Sequence, residues 1–432
     1  MSPRARWTLR AYARAAAAAL FFILLAEFAP ETPLSEALQM APAVALSFLA
    51  AGAPARRHAC APCGCAGDAV LAAACIGDAE LARFGALDGA PRGPPAAAAA
   101  AAALSDAPAL RLGTEQCHAL LTTAHAAAAA RGGGAPGVGP ILFHIYWKPD
   151  TNRGFQAAHV AAAEAFLVTQ PANATLVIWV PVPQAAPAAL AALARAFPAR
   201  VRLRALDILW EAEGSPLARS YLLRLTDKYS WIDSDITRYV LLWRYGGVYI
   251  DADLLLLRDV SPLLGVEFVT QFSCDEARGD GGINGAVMRL FARGRSATAL
   301  LELSRAATPR LAKWTYGPWL LEKFRAAGAD GARLRKLPWC FFHGLWCGGA
   351  LARDALVGAT PWPRALVDGP FGVHMHGAAK SGEPIAAGSV LGVKMRENRA
   401  ALVARLGREL PPFPEGRELP WAARMWRAAG LG

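Results

Sequence analysis

The chain has 432 residues, which exceeds what one hydrophobic core usually serves, so the length predicts one large domain with additional segments. Hydrophobic residues make up 54% of the chain, and 13 tryptophans and 17 phenylalanines exclude disorder throughout, although alanine supplies much of the apolar content. The net charge of +11 predicts an anionic partner, either a membrane surface or a phosphate-bearing small molecule; nucleic acid is not expected, since no Lys/Arg-rich run with interleaved aromatic residues occurs.

The first 29 residues have the pattern of an export signal. Four arginines within residues 4–14 precede an apolar stretch, residues 15–26, which is shorter than the roughly 20 residues of a comfortable membrane span. Because the nearest cleavage site ends at Ala29 and is followed by Pro30, we expect an uncleaved signal anchor. This anchor places its arginines in the cytosol and the rest of the chain in the lumen. A cleaved, secreted form is the alternative.

Residues 30–138 are rich in Ala, Gly and Pro, with eight consecutive alanines at 96–103, and they predict a stem with little tertiary structure. The eight cysteines of the chain fit a lumenal location. Four of them form a cluster that favours disulfides over zinc, because a second C-x-x-C at the usual distance is missing. Cys340 and Cys347 could close a small loop, but the pairing stays open. The clustered cysteines are Cys60, Cys63, Cys65 and Cys75.

From residue 139 to about 400 the pattern changes to alternating strands and helices. Short runs rich in branched residues are separated by helix-compatible segments, residues 155–168 and 185–197, which predicts an α/β fold with a doubly wound, mostly parallel sheet. In such sheets ligands bind beyond the carboxyl ends of the strands. Residues 401–432 are predicted to form a basic tail. The predicted strands are residues 141–147, 175–180 and 201–206.

The most informative segment, residues 234–253, reads SDITRYVLLWRYGGVYIDAD. Ser234 is a good helix N-cap, and apolar residues follow at helical spacing until Gly246, which is placed to end the helix in the left-handed conformation. A short apolar strand then stops at Asp251 and Asp253. The sequence therefore predicts a helix, a Gly-Gly turn and a buried strand that ends in an Asp-x-Asp pair.

Asp251 and Asp253 are spaced to bind one ligand together. Residues two apart on an extended chain face the same side, with their Cα atoms about 6.5–7 Å apart. Two carboxylates at the end of a buried strand are costly unless a cation binds between them, and a hard divalent cation with open positions for substrate phosphates is the natural candidate. Asp233-Ser234-Asp235 is a second Asp-x-Asp, so the discriminating feature is the frame around the first. An EF-hand is excluded, since residues 254–257 are leucines where its ligands should lie.

This segment resembles the sugar-binding D-x-D region of family 32 glycosyltransferases and of the related alpha-1,4-glycosyltransferases. The resemblance extends over roughly residues 140–385 and departs from the family at His376, where tryptophan is usual. His144 is expected to be an ordinary hydrogen-bonded strand residue. The flanking matches are residues 141–147, Trp179, Asn284-Gly285-Ala286, Gly317-Pro318, and residues 373–376 with Lys380-Ser381.

The resemblance implies a GT-A fold and a type II Golgi membrane protein with a lumenal catalytic domain. It also implies retaining transfer of a hexose from a nucleotide-sugar donor to a glycan or glycolipid acceptor, with Mn²⁺ (or Mg²⁺) as cofactor. In this reading Asp253 holds the cation and Asp251 contacts the cation or the donor ribose, which stabilises charge on the diphosphate leaving group. His374 either completes the metal site or contacts the diphosphate.

Further residues are expected at the donor site, each with an ordinary structural alternative. Arg238 reaches a phosphate or is a surface arginine. Asp235 binds donor hydroxyls or is a favourable charge at a helix start. Tyr249 contacts the donor or, as we favour, lies in the core. Asn284 and Ser381 complete the donor-side set, and the acceptor-side candidates are Asp275, Glu276, Tyr316 and Trp319, with Asn284 considered there too.

Two other functions stay open. A nucleotidyltransferase also uses paired aspartates and a divalent ion, and an inactive homologue could bind sugars without turning them over. A glycosidase is disfavoured, because its two carboxyl groups flank the scissile bond about 5–10 Å apart, whereas both acids here lie at one strand end. UDP-galactose, UDP-N-acetylglucosamine and GDP-mannose all remain candidate donors.

Overall fold

The computed structural model describes residues 76–87, 117, 119–122, 140–148, 157–181, 187–224, 231–272, 282–307, 317–343, 369–375, 385–411 and 413. The predicted signal anchor, most of the predicted stem, Ser381, and the candidates Asp275, Glu276 and Tyr316 lie outside these residues. Residues 60–223 and 227–432 form one compact unit, to which the description below refers. Within the described ranges, no helix combines the length and the apolar character needed to cross a membrane.

A seven-stranded sheet forms the centre of this unit, in the strand order β3-β2-β1-β4-β7-β6-β8. Among these described strands, β7 runs antiparallel to both of its neighbours, and every other neighbouring pair is parallel. β5 and β9 form a separate antiparallel pair. This mixed α/β fold with a mostly parallel sheet confirms the predicted fold class. The strands are β1 (Ile141–Tyr146), β2 (Ala174–Val180), β3 (Val201–Ala205), β4 (Val248–Ile250), β5 (Leu254–Leu256), β6 (Phe268–Gln271), β7 (Ile283–Arg289), β8 (Arg335–Leu337) and β9 (Gly372–His374).

The described helices connect and cover these strands. The helix predicted at 155–168 joins β1 to β2 and spans Ala157–Thr169, and the one predicted at 185–197 joins β2 to β3 and spans Ala188–Ala196. The last helix runs past residue 400, so the folded unit extends into the range predicted as a tail. The helices are α1 (Asp78–Leu87), α2 (Ala157–Thr169), α3 (Ala188–Ala196), α4 (Ile208–Glu211), α5 (Trp231–Tyr245), α6 (Arg295–Ala306), α7 (Pro318–Ala326), α8 (Ala329–Arg333) and α9 (Val390–Leu406), with 3-10 turns at Tyr221–Arg224, Ser261–Leu263 and Trp339–Phe341.

The turn from α5 into β4 requires glycine and is held by His144. Gly247 has a φ of +84°, and a Cβ atom there would lie 2.3 Å from the backbone oxygen of Leu142. The indole Nε1 of Trp179 donates to Nδ1 of His144 over 3.1 Å, so the proton of the imidazole lies on Nε2, which donates to the Gly246 carbonyl over 2.9 Å. Burial lowers the pKa of His144 to about 4, although the Gly246 hydrogen bond opposes this shift. His144 is therefore a neutral structural residue, as expected.

Two segments within the predicted stem pack against the sheet. Arg204 of β3 is buried, and its guanidinium donates to the Ile76 carbonyl over 3.2 Å, pairs with Asp78 of α1, and pairs with Glu211 over 2.9 Å. Cys117 lies in a second segment, of which residues 117 and 119–122 are described as helical, and it forms a disulfide with Cys340. The small loop considered between Cys340 and Cys347 is therefore not formed. Both segments are part of the packed unit, which local composition did not indicate.

Candidate functional site

Three side chains converge where β4 and β9 end. Asp251 follows β4, and its backbone N–H donates to the Ala286 carbonyl of β7 over 2.8 Å. β5 starts directly after Asp253 and pairs with β9 in a register that places Leu254 opposite His374. This pairing brings His374 beside Asp253 from the far end of the chain.

The three side chains can hold one metal ion. Nε2 of His374 lies 3.1 Å from Oδ1 of Asp253 and 3.7 Å from Oδ2 of Asp251. One ligand atom from each residue lies within 4.8 Å of the other two. Asp253 and His374 are buried, whereas the Asp251 side chain is 24% exposed. Two carboxylates and one imidazole are a donor set that divalent metals accept, and a cation would offset the cost of placing two acids together.

Arg238 of α5 contacts Asp251 of this group and is buried, so it is not a surface arginine. Its Nη2 atom lies 3.3 Å from Oδ1 of Asp251, 3.1 Å from Oδ1 of Asp235 and 2.8 Å from Oγ of Ser234. Burial by itself lowers the pKa of Arg238, but the two carboxylates outweigh it and raise the pKa above its ordinary value. Arg238 therefore remains charged and holds two aspartates in place.

Tyr249 and Ser234 both contact the guanidinium of Arg238. The guanidinium carbon of Arg238 lies 4.7 Å from the centre of the Tyr249 ring, and the Tyr249 hydroxyl lies 3.0 Å from Oγ of Ser234. Tyr249 is fully buried, so it belongs to the core, the alternative that the sequence favoured. The prediction that Ser234 caps the helix is wrong, because α5 begins three residues earlier at Trp231. The Ser234 hydroxyl instead binds Arg238 and Tyr249.

Two glycines allow this close packing. A Cβ atom at Gly285 of β7 would lie 2.5 Å from Nη1 of Arg238, and one at Gly317, just before α7, would lie 2.7 Å from Oδ2 of Asp235. Both glycines belong to short motifs noted in the sequence, Asn284-Gly285-Ala286 and Gly317-Pro318. Because they lack a Cβ atom, the glycines of these motifs leave room for Arg238 and Asp235 beside Asp251.

The remaining predicted residues are placed less centrally. Oδ1 of Asn284 accepts the Ala286 N–H over 2.6 Å, so this amide oxygen is occupied by its own strand. Trp319 of α7 is partly buried, and Nζ of Lys323 lies 4.4 Å from its ring centre. Neither contact by itself indicates that Asn284 or Trp319 binds the sugar donor or the acceptor substrate.

His343 and Thr270 are neighbours of the site that the sequence analysis did not identify. The fully buried His343 ring lies 5.2 Å from the His374 ring, edge to face at 77°. Its Nε2 atom lies 2.8 Å from Oγ1 of Thr270. Burial lowers the pKa of His343 well below its usual range, and the neighbouring His374 acts in the same direction. A lone histidine between two cysteines carries no signal in sequence that would reveal this contact.

Residues 207–269 match the family model described as a glycosyltransferase sugar-binding region containing the DXD motif. A curated relative, lactosylceramide 4-alpha-galactosyltransferase of Rattus norvegicus, is 34% identical over 76 residues, which cover 16% of this chain and 20% of the relative. The chain thus matches about a fifth of that relative's length.

Three solved structures also resemble the chain at low identity. The PaToxG glycosyltransferase is 14% identical, with 48% of this chain and 75% of that chain covered and a TM-score of 0.32. The WbbM bifunctional glycosyltransferase is 11% identical, with coverage of 63% and 52% and a TM-score of 0.37. The galactosyltransferase LgtC in complex with donor and acceptor sugar analogs is 14% identical, with coverage of 67% and 99% and a TM-score of 0.32. α5, β4 and both aspartates lie inside residues 207–269, the segment that matches the glycosyltransferase sugar-binding region containing the DXD motif.

Proposed function

We propose that the protein is a metal-dependent glycosyltransferase that moves a hexose from a nucleotide-diphosphate sugar to a hydroxyl of a glycan or glycolipid. One observation carries this proposal: Asp251 and Asp253, inside the residues that match the DXD sugar-binding region, converge with His374. The galactosyltransferase relative supports a hexose as the transferred group, although it matches only a short segment.

The proposed cofactor is Mn²⁺, with Mg²⁺ as the alternative. Carboxylates suit both ions, and the imidazole of His374 favours the transition metal over Mg²⁺, which prefers oxygen ligands and retains its waters. When bound, the ion would neutralise the developing charge of the diphosphate leaving group. Asp251, Asp253 and His374 would hold it.

The charges of the described side chains around the site fit a divalent ion. Asp235, Asp251 and Asp253 contribute three negative charges, and Arg238 contributes one positive charge. Because buried charge is costly unless it is paired, a bound dication would lower the cost of placing these carboxylates together.

Arg238 is proposed to orient its neighbours rather than to reach out to a phosphate. Its guanidinium already contacts Ser234, Asp235 and Asp251 and lies over Tyr249. These contacts would orient the Asp251 carboxylate for a bound ion. They leave Asp235 beside Gly317, where it is proposed to bind donor hydroxyls. Asn284 and Ser381 stay predictions for the donor side.

The proposed GT-A fold and the proposed retention of configuration rest mainly on the family resemblance. A GT-A fold agrees with the strand order and with the antiparallel β7 next to β4. Retention of the anomeric configuration by front-side attack would need no separate catalytic base. A type II Golgi membrane protein rests on the arginines and apolar stretch of residues 1–29.

A panel of nucleotide sugars tests the proposed function. UDP-galactose, UDP-N-acetylglucosamine and GDP-mannose are each incubated with the full chain and Mn²⁺, and the released nucleotide is identified by chromatography. Release of a nucleoside diphosphate from one donor is the expected result. That donor is then incubated with a glycan or glycolipid acceptor, and proton NMR of the glycosylated product reports whether the new linkage is alpha. Release of a sugar 1-phosphate, with transfer of the nucleoside monophosphate to water or another acceptor, would indicate a nucleotidyltransferase. Saturable donor binding without turnover would indicate an inactive sugar-binding homologue.

A further inference from the structure

We propose that His343, anchored by Thr270, is a positioning residue that holds the imidazole of His374 in its metal-binding orientation. This inference rests on the proposed metal site. The side chains concerned, His343 and Thr270, lie outside the group formed by Asp251, Asp253 and His374.

The backbone of His374 is held by the segment that carries His343. The His374 N–H donates to the Phe342 carbonyl over 2.8 Å, and the Phe371 N–H donates to the Phe341 carbonyl over 3.0 Å. These backbone bonds place the two chain segments side by side but do not themselves set the rotation of the His374 ring about its side-chain bonds. The edge-to-face contact with the His343 ring, at 5.2 Å, restricts that rotation.

The direction of the hydrogen bonds shows how His343 is itself held. Oγ1 of Thr270 donates its single proton to the Asn284 carbonyl over 3.0 Å. The same oxygen lies 2.8 Å from Nε2 of His343, so Nε2 must carry the proton and donate it to Thr270. This fixes both the tautomer and the plane of the His343 ring.

β7 thereby holds both sides of the metal site. The Asn284 carbonyl anchors Thr270, which binds His343 against His374. The Ala286 carbonyl, two residues further along β7, accepts the backbone N–H of Asp251. One rigid strand thus sets the position of a carboxylate ligand and of the imidazole ligand, and outer partners of this kind affect metal affinity by about 10- to 100-fold.

Titration with Mn²⁺ tests the proposal, with free Mn²⁺ measured from its electron paramagnetic resonance signal. Thr270→Val removes the acceptor for His343, and we expect the Kd for Mn²⁺ to rise about 10- to 100-fold. Thr270→Ser keeps the hydroxyl and should restore an affinity within about threefold of the wild type, even though it loses a buried methyl group. If Thr270→Val fails to fold, His343→Phe, which keeps a ring against His374 but lacks the Nε2 donor, provides the same comparison.

Thr298→Val is the matched control. It makes the same substitution and removes the hydrogen bond from the Trp243 indole, 3.2 Å long, between α5 and α6. We expect it to leave Mn²⁺ affinity unchanged. The proposal is overturned if Thr270→Val binds Mn²⁺ as the wild type does, or if Thr298→Val weakens binding equally.

His374→Ala and Asp253→Ala separate this inference from the proposed function. If they weaken Mn²⁺ binding but Thr270→Val and His343→Phe do not, only the positioning role fails. If they bind Mn²⁺ as the wild type does, the metal site itself is wrong.

Discussion

The Nε2 atom of His374 lies 3.1 Å from Oδ1 of Asp253, although 121 residues separate them in sequence. The contact arises because β5 starts directly after Asp253 and pairs with β9, which ends at His374. A short antiparallel pair beside the main sheet thus completes a ligand set that the Asp-x-Asp segment only begins.

Gly285→Ala is expected to lower activity without unfolding the protein. The added Cβ atom would lie 2.5 Å from Nη1 of Arg238, so the guanidinium must move away from Asp251 and Asp235. Because small displacements of positioning groups are costly for catalysis, we expect kcat/KM for donor hydrolysis to fall about 10- to 100-fold. Steady-state kinetics with circular dichroism as a check of folding measures this.

Gly388→Ala is the control for that substitution, since no heavy atom lies within 4 Å of a Cβ atom placed at Gly388. Its kcat/KM should stay at the wild-type value. An active Gly285→Ala protein would show that Arg238 need not hold its present position.

His144 is expected to make the protein less stable in acid. Burial lowers its folded-state pKa to about 4 from an ordinary value of 6.5, so the unfolded chain binds more protons between these two pH values. The contribution of His144 is complete above pH 6.5 and is lost as the pH falls toward 4. The pKa difference corresponds to a loss on the order of 3 kcal/mol.

Urea unfolding between pH 7 and pH 4.5, in EDTA, measures this dependence. His144→Gln can still donate to the Gly246 carbonyl and accept from Trp179 but does not titrate, so its free energy of unfolding should fall less over the same range. Identical pH slopes for the two proteins would rule out His144 as the source.

A fragment that starts at residue 139 is expected to be less stable than one that starts at residue 76. Without the earlier segment, Arg204 loses the Ile76 carbonyl and Asp78 and keeps Glu211 as a partner. Removing part of the pairing of a buried charge is destabilising. Thermal unfolding of the two fragments compares them directly, and equal midpoints would contradict the structural role of the segment.

The disulfide between Cys117 and Cys340 is expected to contribute separately. Replacing both cysteines with serine should lower the free energy of unfolding by about 2–5 kcal/mol, because the long loop between them gains freedom in the unfolded chain. Urea unfolding under non-reducing conditions checks this, and an unchanged free energy would contradict it.

The features that could be predicted from the sequence are those set by residues close to one another along the chain. The alternation of strands and helices follows from spacing. The Asp251–Asp253 pair is recognisable from its spacing too, but the prediction that both residues lie on one strand is wrong: they lie in the turn between β4 and β5, where the Leu254 N–H donates to the Asp251 carbonyl over 3.0 Å. The contacts of Arg238 could not be read in this way, because they join a helix to a strand end and to the glycine of another strand. The same holds for His343 and for Arg204, whose partners lie 73 and 126 residues away in sequence.

The start of α5 shows a different limit. Ser234 has the side chain of an N-cap, but the helix extends three residues before it, and the hydroxyl binds Arg238 and Tyr249 instead. A local preference was overridden by a tertiary contact, as is common where a polar group supports a site.

Donor hydrolysis by the Asp253→Ala protein tests the central claim most directly. It is compared with the wild type and with Asp259→Ala, which removes an acid six residues away that accepts hydrogen bonds from Ser261. The account predicts Mn²⁺-dependent release of a nucleoside diphosphate by the wild type and by Asp259→Ala, and a loss of at least about 100-fold in Asp253→Ala. Unchanged turnover by Asp253→Ala, or wild-type turnover that persists in EDTA, would contradict it.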